Sequence, residues 1–319
     1  MKKLLAVVLC MMLLLIASAS AKEISEIKIG YIMKTESNEY WATEAAGVEA
    51  WAAERGVQVD VQFIDDETNF TGQLEIMENM INMGYDAIVA SPLSSNNLVN
   101  GVIKASEAGV VVVNNDEGID LEAVVAGGGN MAGYCATNNI DVGNAAGKFI
   151  VETIGEGQVA IISGTDGNVT SNQRTEGAKE IFDATEGIEL VAVQNGDWDR
   201  QIAMDVATNI MTTYPNLKAF YCANDNMALG VYEAVLNADM QDQCIVVGTD
   251  AIAGAKESVK DGGMAATVGQ DNVGLGVACG EIAIQCVLDG WKADPTQEQC
   301  ATTYIDCFLV TPENVDQYL

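Results

Sequence analysis

The sequence contains no histidine among its 319 residues. Ser-His-Asp hydrolases, zinc enzymes that depend on histidine ligands and acid–base catalysis by imidazole are therefore excluded. Basic residues are also scarce, because 15 Lys and Arg stand against 46 Asp and Glu, which gives a formal net charge of -31. Since affinity for nucleic acid or anionic lipid comes mainly from clustered Lys and Arg, neither is expected as a partner.

The chain also lacks the composition of a disordered or tethered protein. Hydrophobic residues make up 49% of it and charged residues only 19%, which is typical of a folded globular chain. Its length suits two domains of roughly 150 residues each. Because no Pro- or Gly-rich linker separates two halves, we expect the domains to be joined by short crossings.

The first residues have the pattern of an export signal. Two lysines precede an apolar run from Leu4 to Ile16, and small residues follow up to Ala21. This pattern predicts a signal peptide at residues 1–21. The apolar run is shorter than the ~20 residues that a membrane span needs. We therefore expect an exported protein, in a periplasm or at the extracytoplasmic cell surface.

Seven cysteines follow the predicted signal, and none of them forms a Cys-x-x-Cys pair, so a zinc site is not expected. Small buried hydrophobic residues are their simplest role. A disulfide between Cys300 and Cys307, or between two strand cysteines, stays open, and the odd count leaves at least one cysteine without a partner in the chain. The seven are Cys135, Cys222, Cys244, Cys279, Cys286, Cys300 and Cys307.

Strand-like apolar runs alternate with amphipathic helix-like runs, which predicts βαβ units and parallel sheets covered by helices on both faces. A strand–helix–strand pattern that ends in Asp116 recurs in the second half, where it ends in Asp250. We therefore predict an α/β protein of two similar doubly wound parallel-sheet lobes. The predicted strands are 28–33, 57–64, 87–90, 110–113, 159–163, 190–194, 219–222, 244–247, 265–268 and 305–310.

Polar residues follow the predicted strands in both halves. Ligands of open parallel sheets bind beyond the carboxyl ends of the strands, and amides, carboxylates and a guanidinium suit sugar hydroxyls, which both donate and accept. Any one of these residues can equally cap a helix or form a turn, but a set spread over both halves favours one shared site. The polar candidates are Asn38, Ser91, Asp116, Glu117, Arg174, Asn224, Asp250 and Gln270. Arg174 stands at the end of the segment 164–173, which we expect to be a loop.

Aromatic residues make up only 6% of the chain, yet each half carries at least one near these strand ends. Tyr40 and Trp41 follow Asn38 in the first half, and Trp198 lies in an acidic loop of the second half. Such rings can stack on the apolar C–H faces of a sugar. Trp41 could instead pack into a core at the start of a helix, whereas the two aspartates that flank Trp198 argue against burial there.

These residues resemble those of the periplasmic monosaccharide-binding proteins, most of all the ribose-binding branch. The resemblance covers about residue 27 to the end and is most specific in the segments 174–177, 224–230, 246–250 and 265–270. It implies that the three aromatic candidates stack on a sugar and that the polar candidates hold its hydroxyls and ring oxygen. It further implies a monomer that is not an enzyme and that needs no cofactor or metal.

The resemblance also implies a mechanism and a division of the chain. A monosaccharide would be captured by hinge closure and delivered to the permease subunits of an ABC importer. The N-terminal lobe would comprise residues 27–137 and 271–306, and the C-terminal lobe 138–270 and 307–319. The three crossings of the hinge would then lie at Thr137, Gln270 and Asp306.

Three positions depart from the family pattern. Glu117 stands where the family usually has arginine, Ser91 where it has asparagine and Thr249 where it has phenylalanine. Because the change at residue 117 alters the charge by two units, we expect a ligand other than plain ribose. Another pentose, a hexose, a polyol or an aminosugar would fit, and the amino group of the last could meet the Glu117 carboxylate.

The sequence also bears on three other classes of function. A sugar-responsive repressor would need a helix-turn-helix and a basic face, and the export signal and the acidic charge argue against it. The carboxylates of Asp116, Glu117 and Asp250 could form a glycosidase pair, but the resemblance makes them ligand-binding groups. A binding protein for a sugar-like signal in chemotaxis or sensing remains an alternative that the sequence leaves open.

Overall fold

The computed structural model describes residues 22–297 and 300–319. The predicted signal peptide at residues 1–21 lies outside the described residues. The strands are β1 Lys28–Thr35, β2 Gln58–Ile64, β3 Ala87–Ala90, β4 Val111–Asn115, β5 Gly133–Thr137, β6 Gly157–Ser163, β7 Ile188–Asn195, β8 Leu217–Cys222, β9 Ile245–Asp250, β10 Ala266–Gln270, β11 Ala301–Ile305 and β12 Cys307–Val310. The α-helices are α1 Glu39–Arg55, α2 Phe70–Asn82, α3 Val99–Ala108, α4 Leu121–Ala126, α5 Asn139–Ile154, α6 Val169–Ala184, α7 Arg200–Thr213, α8 Asp225–Asn237, α9 Ala253–Lys260 and α10 Asn272–Leu288.

The strands form two sheets of six, and the two sheets have the same order. The first is β11-β5-β4-β3-β1-β2, and the second is β12-β10-β9-β8-β6-β7. Apart from their outermost strands β11 and β12, the two lists correspond strand by strand, with an offset of five. The prediction of two similar α/β lobes is therefore confirmed. The lobe bounds proposed from the sequence place one whole sheet in each lobe.

One strand pair is antiparallel, which differs from the expectation of purely parallel sheets. Strand β12 runs against β10, with Gln270 opposite Cys307 and Thr267 opposite Val310. The reason is the crossing at Asp306. Strand β11 ends beside the end of β5, with Ile305 opposite Thr137, and the chain then enters the second sheet directly at the end of β10. A parallel entry would require a long crossover connection first.

Each sheet is buried on both faces, as the alternation of its strand residues requires. In β1, Ile29 and Tyr31 pack on one face with residues of α1 and α10, while Ile32 packs on the other with residues of α2 and α3. The second sheet is covered in the same way by two further apolar clusters. These cores hold the carboxyl ends of both sets of parallel strands in fixed positions.

Several local predictions differ from the structure. Strand β5 was not predicted, and the predicted strand 305–310 is two strands separated by Asp306. The segment 164–173 was expected to be a loop, but α6 begins at Val169, with Asn168 as its cap.

All seven cysteines of the described residues are free thiols. Within residues 22–297 and 300–319, no helix is long and apolar enough to cross a membrane.

Candidate functional site

A cavity with an empty volume of about 350 Å³ lies between the two lobes, at the carboxyl ends of their parallel strands. Both lobes line it. It brings together nine of the eleven residues proposed from the sequence, together with Lys34, Glu67 and Thr170, which were not proposed. The lining residues are Lys34, Asn38, Tyr40, Trp41, Glu67, Asp116, Thr170, Arg174, Trp198, Asn224, Asp250 and Gln270.

Two asparagines that line the cavity also cap helices. The Asn38 side-chain oxygen accepts from the backbone N–H of Tyr40 at 3.1 Å, and that of Asn224 accepts from the N–H of Met227 at 2.9 Å. The capping role and the ligand-binding role therefore do not compete. Capping uses the amide oxygen as an acceptor, which leaves the NH₂ group of each side chain as a donor for a ligand.

The first lobe contributes a buried ion pair. The Lys34 Nζ lies 3.5 Å from the Asp116 Oδ2, and both side chains are almost fully buried. Burial alone would lower the pKa of Lys34, but the nearby carboxylates of Asp116, Glu67 and Glu117 outweigh it and raise that pKa. Lys34 is therefore a charged donor at neutral pH, and it also lies over the ring of Trp41, 5.2 Å from its centroid.

The second lobe contributes a matching pair. The Arg174 Nη1 lies 3.5 Å from the Asp250 Oδ1, and it donates to the Ala223 carbonyl at 2.7 Å. The Nε of the same guanidinium donates to the Asn139 side chain at 2.8 Å, so its plane is fixed. Gln270 donates to the Asp250 Oδ1 at 2.7 Å. Burial raises the pKa of Asp250 to about 7, although Arg174 and the Gln270 hydrogen bond oppose that shift.

Two polar atoms of the lining lack partners. The Tyr40 hydroxyl and the Gln270 Oε1 are buried, and neither makes a hydrogen bond within the described part of the chain. An unpaired buried polar atom costs roughly 1–3 kcal/mol, so both atoms favour occupation of the cavity by a polar ligand. Tyr40 is held against Trp41 in an edge-to-face contact, with centroids 4.8 Å apart.

The backbone is strained at three lining residues. Asp116 and Trp198 have φ values of 63° and 60°, and Asp250 has 120°, all in the region that favours glycine. Such conformations cost of the order of 1–3 kcal/mol each and persist where the surroundings enforce them. The strained backbone at Asp116, Asp250 and Trp198 indicates that the positions of these three side chains are functionally constrained.

Two proposed site residues do not line the cavity. Ser91 is fully buried, and its hydroxyl accepts from the Asn115 amide at 2.8 Å. Glu117 is fully buried too, and its two carboxylate oxygens accept from the N–H groups of Val169 and Thr170 at 2.9 and 3.1 Å. The idea that Glu117 meets the amino group of a sugar is therefore corrected, because both oxygens are already engaged by backbone amides.

The three additional lining residues differ in how readily the sequence could have indicated them. Lys34 is a lone cation at the end of an apolar strand, which is a usable signal. Thr170 lies in the first turn of α6, in the segment expected to be a loop. Glu67 follows β2, accepts from the Thr35 hydroxyl at 3.3 Å, and has a pKa raised by burial despite the opposing charge of Lys34. Nothing in its local sequence distinguishes Glu67 from other surface carboxylates.

Comparison with known proteins identifies the family. A family model described as "Periplasmic binding protein domain" matches residues 29–290. The chain belongs to the periplasmic binding protein family. It is 40% identical to the "D-allose-binding periplasmic protein" of Escherichia coli, over 93% of this chain and 95% of that protein. It is 34% identical to a "D-ribose/D-allose-binding protein" of Pseudomonas aeruginosa, over 84% of this chain and 86% of that protein.

Solved structures of periplasmic binding proteins have the same architecture. A periplasmic solute-binding protein of an ABC transporter from Actinobacillus succinogenes, solved with bound D-allose, has a TM-score of 0.84. It is 32% identical to this chain, and the match covers 92% of this chain and 100% of that chain. The predicted class of function, a sugar-binding periplasmic protein of an ABC transporter, is thereby confirmed. The relatives are transport proteins, not glycosidases.

Proposed function

We propose that this chain binds D-allose in the cavity between its lobes and delivers it to an ABC importer. The observation that supports this most directly is the pair of buried ion pairs that face the cavity, Lys34 with Asp116 and Arg174 with Asp250. Each pair offers a charged donor and a charged acceptor to hydroxyl groups. Relatives with 40% and 34% identity are named for binding D-allose.

A hexose is favoured over ribose by the content of the cavity. Glu117 does not reach the ligand, so the arginine contact expected in the ribose-binding branch has no replacement at that position. Lys34 and Glu67 instead add one donor and one acceptor to the lining. A hexose has one hydroxyl more than a pentose, and that hydroxyl needs both a donor and an acceptor when it is buried.

The mechanism follows from the division of the site between the lobes. The first lobe presents a cation, two carboxylates and an aromatic wall, and the second presents a cation, one carboxylate and an aromatic wall, so neither lobe alone encloses a sugar. A ligand that contacts both lobes stabilises the closed arrangement and shifts the population toward it. We propose that export by the signal at residues 1–21 brings the protein to the periplasm as a monomer, where the permease recognises its closed form.

The ligand assignment is tested by calorimetric titration of the mature protein with D-allose, D-ribose, D-glucose and D-glucosamine. We expect micromolar or tighter binding of D-allose, which corresponds to about -8 kcal/mol or better. D-Ribose should bind at least about tenfold more weakly, since it leaves part of the cavity lining unpaired. D-Glucose differs from D-allose only in the configuration at C3, so its titration shows whether the site distinguishes the orientation of the C3 hydroxyl. Tight binding of ribose without binding of D-allose would refute the assignment.

A further inference from the structure

Three direct hydrogen bonds cross the cleft among residues 22–297 and 300–319, and all three are of one kind. In each, a glutamate carboxylate of the first lobe accepts from a backbone N–H of the second. Glu117 accepts from Val169 at 2.9 Å and from Thr170 at 3.1 Å. Glu39 accepts from Ala253 at 2.8 Å. Hydrogen bonds across the cleft thus join two carboxylates to two separate helices.

The donors are the first residues of those helices. Val169 and Thr170 begin α6, and Ala253 begins α9. Such N–H groups have no partner inside their own helix, and the helix dipole makes this end electropositive. A carboxylate at this position makes a charge-assisted hydrogen bond, which is stronger than a neutral one. Each contact therefore attracts a glutamate of the first lobe to a helix N-terminus of the second lobe.

We infer that Glu117 and Glu39 are positioning residues that hold the closed form together without touching the ligand. This inference rests on the proposed function, because closure matters only if a solute is trapped. Thr170 connects the cavity with Glu117, since it is one of the lining residues and its N–H donates to the Glu117 carboxylate. Opening the cleft separates both carboxylates from their amides, so the contacts stabilise the closed form and not the lobes themselves.

The two contacts are unequal. Glu117 is fully buried and uses both oxygens, whereas the Glu39 contact is exposed and uses one. Buried charge-assisted hydrogen bonds contribute more than exposed ones, and exposed ones are screened by salt. Removal of the Glu117 charge should therefore have the larger effect, and only the Glu39 contribution should fade as the salt concentration rises.

The kinetic test uses Glu117→Gln and Glu39→Gln, with Glu26→Gln as the matched control. Glu26 accepts from the N–H of Glu23 in the segment just before the first lobe, at the opposite end of β1 from the cavity. Dissociation of D-allose is followed by stopped-flow fluorescence of the cavity tryptophans. We expect dissociation to be about tenfold faster in Glu117→Gln, two- to threefold faster in Glu39→Gln and unchanged in the control, with association altered less than about twofold. Unchanged dissociation in Glu117→Gln would overturn the inference.

The melting temperature of the ligand-free protein distinguishes a purely structural role of Glu117 from a role in holding the closed form. If Glu117 only stabilises its own lobe, Glu117→Gln lowers the melting temperature of the ligand-free protein as much as that of the complex. If Glu117 holds the closed form, the ligand-free melting temperature changes little, and the increase caused by the sugar becomes smaller. An equal loss in both forms would overturn the inference.

Amide exchange at residues 169, 170 and 253 distinguishes failure of this inference from failure of the proposed function. These N–H groups are protected by glutamate in the closed form and exposed to water in the open form. Because all three N–H groups are exposed when the cleft opens, we expect Glu117→Gln to accelerate exchange at 169 and 170 and, to a smaller extent, at 253. If D-allose does not bind but this dependence is seen, the ligand assignment fails and the inference stands. If exchange is independent of both glutamates, with or without sugar, the inference is wrong.

Discussion

Asp116 and Asp250 face the same cavity from opposite lobes and are related by the internal repeat of the chain. Each stands at the end of a corresponding strand, β4 or β9, and has a positive φ. Each carboxylate lies 3.5 Å from one buried cation, Lys34 or Arg174. The charge of Asp116 also contributes to the raised pKa of Asp250. The two lobes therefore interact electrostatically across the space that the ligand would fill.

The affinity for D-allose should depend on pH through Asp250. Burial raises its pKa to about 7, and a sugar hydroxyl that donates to the carboxylate favours the ionised form. Binding then releases a proton. We expect the affinity to be constant above about pH 8 and to weaken, by up to about tenfold per pH unit, below about pH 7. Titration in two buffers of different ionisation enthalpy measures the proton release.

Asp250→Asn is the control, and it should bind more weakly but without the pH dependence. The pH dependence of the free energy of unfolding does not report on Asp250 alone. A carboxyl whose folded pKa lies above its unfolded value destabilises the fold at higher pH, so the free energy of unfolding rises as pH falls from about 7 toward 4. Asp225 and Glu44 act in the same direction, because burial also raises their pKa values. A wild-type affinity that is independent of pH would contradict the role given to Asp250.

Replacement of Lys34 by methionine should weaken both folding and binding. The change leaves the buried Asp116 carboxylate without its cation. Breaking a buried pair on one side costs roughly 3–5 kcal/mol of stability. We expect a clear loss in the free energy of unfolding, measured by urea denaturation, and at least a hundredfold weaker binding of D-allose.

Lys104→Met provides the comparison for this prediction. Lys104 pairs with Glu78 on the surface, where both side chains are partly exposed. Exposed pairs contribute about 0–1 kcal/mol, so stability and affinity should hardly change. Similar losses in Lys34→Met and Lys104→Met would show that the buried pair has no special role.

The architecture was predictable because it depends on patterns that repeat along the chain. Runs such as 87–90 and 219–222 are apolar, short and separated by helix-like segments, so they indicate parallel strands. Nine lining residues were found because parallel strands end at the same edge of a sheet. That rule needs no knowledge of how the lobes are arranged.

The missed elements had weak local patterns. Strand β5 has only five residues and follows a glycine-rich turn. Helix α6 packs against α5 through small residues, since a Cβ at Gly177 would lie 2.3 Å from the Ile140 carbonyl. A helix that buries glycine and alanine shows little hydrophobic periodicity. Consequently, its first turn, which carries Thr170, was not recognised.

The hydrogen bonds of Glu117 could not be predicted from the sequence, for a different reason. Its partners, the N–H groups of Val169 and Thr170, belong to the other lobe and are more than 50 residues away in the chain. Which groups meet across the cleft depends on how the lobes are oriented to one another, and no local spacing records that. A carboxylate after a strand predicts only an acceptor, whose donor can be a sugar hydroxyl or a helix end.

All seven cysteines from Cys135 to Cys307 should remain reduced thiols in the exported protein. They are free in the structure; Cys300 directly precedes β11 of the first sheet, whereas Cys307 begins β12 of the second. We expect seven reactive thiols in denaturant without prior reduction, counted with a thiol reagent on the mature chain. A reducing agent should leave the melting temperature unchanged. A count below seven, restored by reduction, would show that a disulfide forms.

Substitution of Gly164 by alanine should weaken sugar binding although Gly164 does not line the cavity. A Cβ there would lie 2.1 Å from the Trp198 indole, so the ring must move. Displacement of one stacking wall should weaken binding of D-allose by about tenfold, or ~1.4 kcal/mol, as measured by calorimetry. Gly254→Ala is the control, because its added Cβ meets only Leu229 at an ordinary 3.5 Å. If Gly164→Ala binds like the wild type, Trp198 does not form a wall of the site.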